Sequence, residues 1–129
     1  MIESRIDHIG LNVADLDEAI EFYQQLFGFT VIERWEDPKQ AFVGKGDVVL
    51  GLMESPNYDF KSYTKAHVAF PCKPGAFEEI VSLVKGSSPE IIAGPKPQRG
   101  GETILFRDSS GNILEVCYPS LGSGGGNET

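Results

Sequence analysis

The sequence predicts an α+β fold built from two βαβββ modules. Each half of the 129-residue chain opens with a short apolar segment that has a histidine near its start, at His8 and at His67. Each half continues into a segment with apolar residues at helical spacing, followed by strand-like runs separated by glycine and proline. Because a duplicated fold brings equivalent positions together around a pseudo-two-fold axis, we expect the only two histidines to meet, joined by Glu115.

The first module is predicted over residues 5–54. Residues 6–13 form a β-rich run, and Asp15 with Glu18 three positions later matches a helical capping box. Apolar side chains then recur every 3.6 residues until Gly28, which predicts a helix that ends at that glycine. The remaining strands are expected at 29–35, 40–44 and 48–53.

The second module is predicted over residues 65–119, after a polar linker at 55–64, and both modules belong to a single domain over 1–119. Its first strand, 67–71, leads to a helix that Pro74 starts and Gly86 ends. Its later strands are expected at 90–93, 103–107 and 113–118, and a Gly/Ser-rich tail at 120–129 is expected to be disordered.

Composition excludes several classes of function. The chain carries 19 acidic and 11 basic residues, a net charge of −8, and has no basic stripe, so we expect no nucleic-acid partner. It has no apolar run long enough to span a membrane, and its N-terminus lacks the features of a signal peptide. The two cysteines do not form a disulfide framework, which favours a reducing, cytoplasmic location.

Strand alternation predicts where the polar side chains point. Since each helix covers one face of its sheet, the faces that carry His8, His67 and Glu115 are expected to turn inward together. The small residues Gly10 and Ala69 lie two positions after the histidines and leave room above a metal ion. The pattern therefore predicts a cavity on these faces.

Three segments together resemble the vicinal oxygen chelate superfamily. Residues 7–16 (Asp-His-Ile-Gly-Leu-Asn-Val-Ala-Asp-Leu) are similar to the opening of the family's first module. Residues 67–70 (His-Val-Ala-Phe) are similar to the start of its second module, and residues 106–116 resemble the closing Asp-x-x-Gly-Asn hairpin that ends in a metal-binding glutamate. The family includes glyoxalase I, extradiol dioxygenases, and fosfomycin- and bleomycin-resistance proteins.

The resemblance implies a cupped mixed sheet around one divalent metal, in a homodimer. His8, His67 and Glu115 fall on the family's metal-ligand positions, a donor set that suits Fe(II), Mn(II), Co(II), Ni(II) or Zn(II). A small substrate would chelate the metal through vicinal oxygens. Isomerase or lyase chemistry of the glyoxalase type is the leading expectation, with Glu115 as the catalytic base.

Departures from the family's patterns keep the alternatives open. The second glutamate of glyoxalase I falls on Leu50 or Gly51, although Glu54 is close by. An extradiol dioxygenase would need a further histidine beyond the two assigned to the metal. Fosfomycin-resistance enzymes match through residues 56–67, but Gly10 replaces their threonine, and their serine-rich loop and late arginine are absent.

A bleomycin-type binding protein is the alternative without catalysis. Trp35, Tyr58 and Phe60 could stack on a flat ligand or pack in a dimer interface, but proteins of this type typically lack the metal ligands that this chain keeps. The sequence leaves four further polar residues without an assigned role, namely Arg99, Glu102, Arg107 and Cys117.

Overall fold

The computed structural model describes residues 1–62 and 64–122, and the chain forms two compact units, Met1–Phe60 and Lys61–Thr129. Each unit contains one α-helix and one four-stranded mixed sheet. The strand order is the same in both units, with the first strand of each beside its last. The predicted α+β fold of two βαβββ modules is therefore confirmed.

The first unit is built around strand β4. Its elements are β1 (Ile9–Val13), α1 (Leu16–Phe27), β2 (Thr30–Glu36), β3 (Lys39–Lys45) and β4 (Val48–Glu54). The sheet order is β1-β4-β3-β2; β1 and β4 are parallel, whereas the other neighbours are antiparallel. Leu50 and Leu52 are fully buried, so the intervening Gly51 belongs to the opposite face of the sheet.

The second unit repeats this plan around strand β8. Its elements are β5 (Val68–Pro71), α2 (Phe77–Ser87), β6 (Ile91–Gln98), β7 (Gly101–Arg107) and β8 (Ile113–Tyr118), with sheet order β5-β8-β7-β6. Tyr118 packs against Phe77 at the start of α2, with ring centroids 5.4 Å apart. Since side chains alternate along β8, Glu115 and Cys117 belong to the face away from the helix.

Both predicted ends of α1 are confirmed. The Asp15 carboxylate accepts a hydrogen bond from the Glu18 backbone N–H at 2.9 Å, which satisfies a donor that the first helical turn leaves free. Gly28 ends the helix in the left-handed region, at φ 71°, where a residue without Cβ is favoured.

The predicted end of the second helix at Gly86 is wrong. The helix expected to start at Pro74 begins instead with a 3-10 turn at Pro74–Ala76, and α2 follows directly at Phe77 and continues through Gly86 to Ser87. The Ser88 N–H donates to the Val84 carbonyl at 2.8 Å and closes the last turn. Gly86 does not take up a left-handed conformation and borders open space, so it is tolerated as an interior glycine at the helix end.

Strand β6 is longer than the predicted 90–93 segment. The sequence between Ala93 and Gln98 contains two prolines, which favoured a loop, yet the strand continues through them because β6 is an edge strand. Register shifts on both sides of Ala93, together with Gly94 at φ 89°, accommodate the irregular backbone as bulges.

The first strand of each unit starts later than predicted. The predicted strand at 6–13 begins only at Ile9, so His8 precedes β1, and His67 likewise precedes β5. At the C-terminus, the Gly122 N–H donates to Ser120 Oγ at 3.0 Å. The rest of the predicted tail, 123–129, lies outside the described residues.

Candidate functional site

His67 and Glu115 form a close pair in the second unit. His67 immediately precedes β5, and Glu115 lies on the neighbouring strand β8, where it is in register with Ala69. The Nε2 atom of His67 lies 2.9 Å from Oε1 of Glu115, whose side chain is almost completely buried. Two of the three predicted ligands are therefore together.

The second nitrogen of His67 also faces an acceptor. Its Nδ1 atom lies 2.7 Å from the carbonyl oxygen of Lys65, so this nitrogen carries a proton that it donates. A neutral imidazole has no second proton to give, and its Nε2 lone pair would point at Glu115 Oε1. The two groups therefore form an ion pair when the imidazole is protonated, and the same two atoms could otherwise bind a metal ion.

The other oxygen of Glu115 is held by two side chains that sequence reasoning missed. Thr103 Oγ1 donates to Oε2 at 2.5 Å, and Gln98 Nε2 donates to the same oxygen at 3.2 Å. Thr103 is fully buried on β7, so its hydroxyl has a fixed direction. We call Thr103 and Gln98 the Glu115 clamp, because they leave Oε1 as the oxygen directed at His67.

His8 lies in the first unit and is oriented by its neighbour in sequence. Its Nδ1 atom lies 2.8 Å from Oδ2 of Asp7, and the ring stands edge-on to Phe42 with centroids 5.1 Å apart. The hydrogen bond from His8 is the main reason that the pKa of the Asp7 carboxyl is lowered. With Nδ1 engaged as a donor, Nε2 is the nitrogen of His8 that is left to bind a ligand.

The two units differ at the position of the glutamate. In the second unit Ala69, two residues after its histidine, is paired with Glu115, whereas in the first unit Gly10 is paired with Gly51. Gly51 is therefore the counterpart of Glu115 and cannot ligate. Glu54 does not replace it, because its carboxylate accepts a hydrogen bond from Leu16 N–H at 2.9 Å at the start of α1. The first unit thus lacks the second glutamate of the glyoxalase I pattern.

Each unit has a cavity beside its histidine. The cavity of the second unit is about 300 Å³ and includes Arg99, Cys117 and the His67–Glu115 pair in its lining. The cavity of the first unit is about 180 Å³, and its lining, which includes His8, is mostly apolar. Over the described residues, neither unit by itself groups three His, Cys, Asp or Glu side chains as a set of metal ligands.

Arg99 and Arg107, both unassigned from sequence, have different roles. Arg107 has a structural role, because it donates a hydrogen bond to the Gly111 carbonyl at 2.7 Å and forms an ion pair with Glu90 at 3.3 Å. Arg99 lies in the β6–β7 turn at φ 47° and reaches the cavity, where its Nη2 is 3.8 Å from Cys117 Sγ. Arg99 therefore brings a positive charge to the cavity of the second unit.

Glu102 and Cys117 do not have the environment of catalytic groups. Glu102 accepts a hydrogen bond from the Tyr118 hydroxyl at 2.7 Å, which occupies its carboxylate. Burial raises the pKa of the Cys117 thiol above its usual value, and the adjacent Glu115 raises it further, while Arg99 acts in the opposite direction. A thiol with a raised pKa is protonated at neutral pH and is a poor nucleophile.

Comparison with known proteins assigns the family. Residues 5–116 match the model of the Glyoxalase/Bleomycin resistance protein/Dioxygenase superfamily. The chain belongs to this superfamily. The resemblance noted from the sequence is therefore confirmed over most of the chain.

Relatives within the superfamily are named for several activities. Metallothiol transferase FosB of Shouchella clausii is 31% identical over 122 residues, which covers 90% of this chain and 81% of the relative. A probable lactoylglutathione lyase of Vibrio cholerae is 29% identical over 131 residues, which covers 90% of this chain and 91% of the relative. A superfamily member can thus resemble proteins named for different reactions.

A solved structure gives the same fold. The fosfomycin resistance protein FosX of Listeria monocytogenes superimposes with a TM-score of 0.79 at 25% identity, covering 93% of this chain and 95% of FosX. That crystal structure contains Mn(II) and (1S,2S)-dihydroxypropylphosphonic acid bound to a FosX variant. In the present chain, the described helices include none that is long and apolar enough to cross a membrane.

Proposed function

We propose that this chain is a divalent-metal-dependent enzyme that acts on a small anionic substrate through two vicinal oxygens. His8, His67 and Glu115 would hold the metal. The observation that carries the proposal is the 2.9 Å separation of His67 Nε2 and Glu115 Oε1, with the other nitrogen of His67 fixed by Lys65. At His8, Asp7 likewise engages Nδ1 and leaves Nε2 available, which supports the assignment of His8 as the third ligand.

The geometry of the pair fits a metal. Two ligand atoms at about 2.1 Å from one ion, at roughly a right angle, lie about 3 Å apart. The observed separation of 2.9 Å is close to this value. Imidazole nitrogen and carboxylate oxygen suit Fe(II), Mn(II), Co(II), Ni(II) or Zn(II). A bound ion would supply Lewis-acid polarisation of the substrate oxygens.

The position of Arg99 supports the proposal that the substrate is anionic. Its guanidinium lies at the same cavity as the His67–Glu115 pair, and among the described residues no carboxylate forms an ion pair with it. A carboxylate, phosphate or phosphonate group on the substrate would supply the missing partner through charge-assisted hydrogen bonds. Arg99 would therefore orient the substrate, while Glu115 takes part in the reaction itself.

Isomerase or lyase chemistry of the glyoxalase type is the leading reaction. Such a reaction moves a proton to or from a carbon atom next to the chelated oxygens, and Glu115 would accept that proton through Oε1 on partial dissociation from the metal. The clamp on Oε2 supports this assignment, because it leaves Oε1 as the oxygen without a side-chain donor from Thr103 or Gln98. Burial of Glu115 limits its contact with water.

Fosfomycin resistance is the second candidate. FosX is named for it, FosB is named as a metallothiol transferase, and a phosphonate would be a suitable partner for Arg99. In this reaction a thiol or water would bond to one ring carbon of the substrate, and the bond from that carbon to the ring oxygen would break. The oxygen, still attached to the other ring carbon, would take up the proton that the nucleophile gives up. The raised pKa of Cys117 supports an external nucleophile over this thiol.

Metal analysis followed by activity assays tests the proposal. Protein purified without chelators, and then loaded separately with each divalent ion, is assayed with the hemiacetal of methylglyoxal and a thiol, with fosfomycin plus thiol or water, and with catechol plus oxygen. Turnover of the hemiacetal supports the leading reaction, and turnover of fosfomycin supports the second. Oxygen uptake with Fe(II) and catechol would replace both with a dioxygenase, and absence of metal would favour a binding protein.

We also propose that the protein acts as a homodimer in a reducing cytoplasm. Family members of this chain length pair two copies, and both cysteines, Cys72 and Cys117, are free thiols in the structure. The metal ligands could then come from different subunits. Light scattering at micromolar concentration should give twice the mass of the chain, and a strict monomer would contradict the dimer.

A further inference from the structure

The tight turn between β6 and β7 has an unusual backbone conformation. It joins Gln98 to Gly101, which face each other in the strand register, through Arg99 at φ 47° and Gly100 at φ 80°. Among the described residues, Arg99 is the only one other than glycine with a positive φ. Two-residue turns of this kind favour Asn or Gly, because a Cβ crowds the backbone there and only a short polar side chain compensates through local hydrogen bonds. Arginine is therefore an unfavourable residue for this turn.

The turn is fixed in position against the end of β8. A Cβ at Gly101 would clash with the backbone carbonyl of Tyr118, so only a residue without a side chain permits this close approach. On the same strand, Sγ of Cys117 lies 3.8 Å from Nη2 of Arg99. The guanidinium of Arg99 is thus held at the polar cavity of the second unit.

The contacts of Arg99 differ from those of the other three arginines in the chain. Arg5, Arg34 and Arg107 each form an ion pair with a carboxylate, at 3.4, 2.7 and 3.3 Å respectively. Over the described residues, no carboxylate forms such a pair with Arg99, and its side chain contacts the Cys117 thiol instead. Because sulfur is a weak hydrogen-bond acceptor and a guanidinium carries five donors, Arg99 keeps donors for a ligand.

We propose that Arg99 is a specificity-determining residue that the fold retains at the expense of its own stability. The unfavourable left-handed conformation directs the guanidinium to the cavity of the second unit, where it binds an oxyanion such as a carboxylate or phosphonate group. The inference rests on the proposed function for the role of Arg99 in the reaction. Binding of the oxyanion itself requires neither the metal ion nor the first unit, because every residue in this argument lies in the second unit.

Methylphosphonate and its uncharged dimethyl ester test oxyanion binding in the metal-free protein. In an NMR spectrum of the arginine Nε–H groups, methylphosphonate should shift the Arg99 signal saturably and leave the signals of the three ion-paired arginines in place. The ester should shift none of the four. The signal that is absent from Arg99→Ala identifies Arg99. The ring signals of His67, which lines the same cavity, give the dissociation constant for methylphosphonate in each protein.

Three substitutions at Arg99 separate the charge from the backbone conformation. Arg99→Asn should weaken methylphosphonate binding by about tenfold, because a charge-assisted hydrogen bond is lost. It should also raise the melting temperature by about 3 °C, because asparagine tolerates the left-handed region. Arg99→Ala should weaken binding equally without raising the melting temperature, since alanine keeps the Cβ and has no polar group. Arg99→Lys keeps the charge and the Cβ, so it should melt like the wild type and show a smaller loss of affinity.

Lys96→Gln is the matched control for the loss of one positive charge. Lys96 lies on β6, the strand that leads into the turn, at an exposed position outside the cavity lining. This substitution should leave both the affinity for methylphosphonate and the melting temperature unchanged. Equal weakening of methylphosphonate binding by Lys96→Gln and Arg99→Ala would mean that the anion responds only to the net charge of the protein, which would overturn the inference.

The outcomes distinguish this inference from the proposed function. If methylphosphonate binds through Arg99 as expected but the protein binds no divalent metal, the proposed function fails and the oxyanion site stands. If the metal binds but methylphosphonate does not shift the Arg99 signal, the inference fails and the metal site stands. A more stable Arg99→Asn protein with wild-type affinity would overturn the inference, because the conformation would then serve no anion. Weaker binding without a gain in melting temperature would also overturn it, because arginine would then not destabilise the turn.

Discussion

Thr103 and His67 act on opposite oxygens of one carboxylate. The Thr103 hydroxyl donates to Oε2 of Glu115, while Nε2 of His67 lies 2.9 Å from Oε1. Because Thr103 is fully buried, its hydrogen bond restricts rotation of the Glu115 carboxylate about the Cγ–Cδ bond. Glu115 therefore presents a single oxygen, Oε1, on the side of His67.

Removing the Thr103 hydroxyl should weaken metal binding. Thr103→Val keeps the shape of the side chain but leaves Oε2 with Gln98 as its only donor from the clamp, so the carboxylate can rotate. Loss of a hydrogen bond to a side chain that ligates a metal typically lowers metal affinity by about 10- to 100-fold. Competition with a fluorescent chelator gives the dissociation constant.

Thr103→Ser is the conservative control, because it restores the hydroxyl and should recover most of the affinity. The Mn(II) EPR spectrum of the loaded protein should change in Thr103→Val and return in Thr103→Ser. Equal affinity of all three proteins would mean that the clamp has only a structural role.

Arg99 should recognise the anionic part of a ligand. Arg99→Ala is expected to weaken phosphonoacetohydroxamate by about tenfold, because a charge-assisted hydrogen bond is lost, and to leave acetohydroxamate unaffected. Arg99→Lys keeps the charge and should show a smaller loss. A similar loss for both ligands in Arg99→Ala would mean that the residue supports the metal site and does not contact the anion.

The Cys117 thiol should react slowly at neutral pH. Burial and the adjacent Glu115 raise its pKa, so the thiolate is a minor form at pH 7 and becomes abundant only at a pH above the ordinary range for cysteine. Mass spectrometry should therefore show iodoacetamide labelling of Cys117 that is slower than in the unfolded protein and accelerates with rising pH. Rapid labelling at pH 7 would instead indicate an activated nucleophile.

Local sequence patterns were sufficient for the fold because each element carries its own signals. Asp15 and Gly28 mark the ends of α1 by capping chemistry that depends only on nearby residues. Gly86 shows the limit of this reasoning: glycine permits a left-handed helix end but does not impose it. The extension of β6 past Ala93 depends on pairing with β7, which the local sequence does not encode.

The candidate site was predictable only in part. Strand alternation and the family resemblance selected His67 and Glu115, and the structure places Nε2 of His67 2.9 Å from Oε1 of Glu115, while metal binding by this pair stays a prediction. Thr103 and Gln98 were missed because strand register and the β6–β7 turn bring them to Glu115 from 12 and 17 residues away. The involvement of His8 remains a prediction, since it lies in the other unit.

Metal stoichiometry in ligand variants tests the central claim most directly. The wild-type protein, reloaded and freed of excess ion, should contain one divalent metal per chain by elemental analysis. His8→Ala and His67→Ala should each lose it, and acid should release it from the wild type as protons compete for the imidazoles. Glu90→Gln, which alters an exposed carboxylate paired with Arg107, is the control and should retain the metal. Unchanged metal content in His67→Ala would contradict the account, because the ion would then be bound elsewhere.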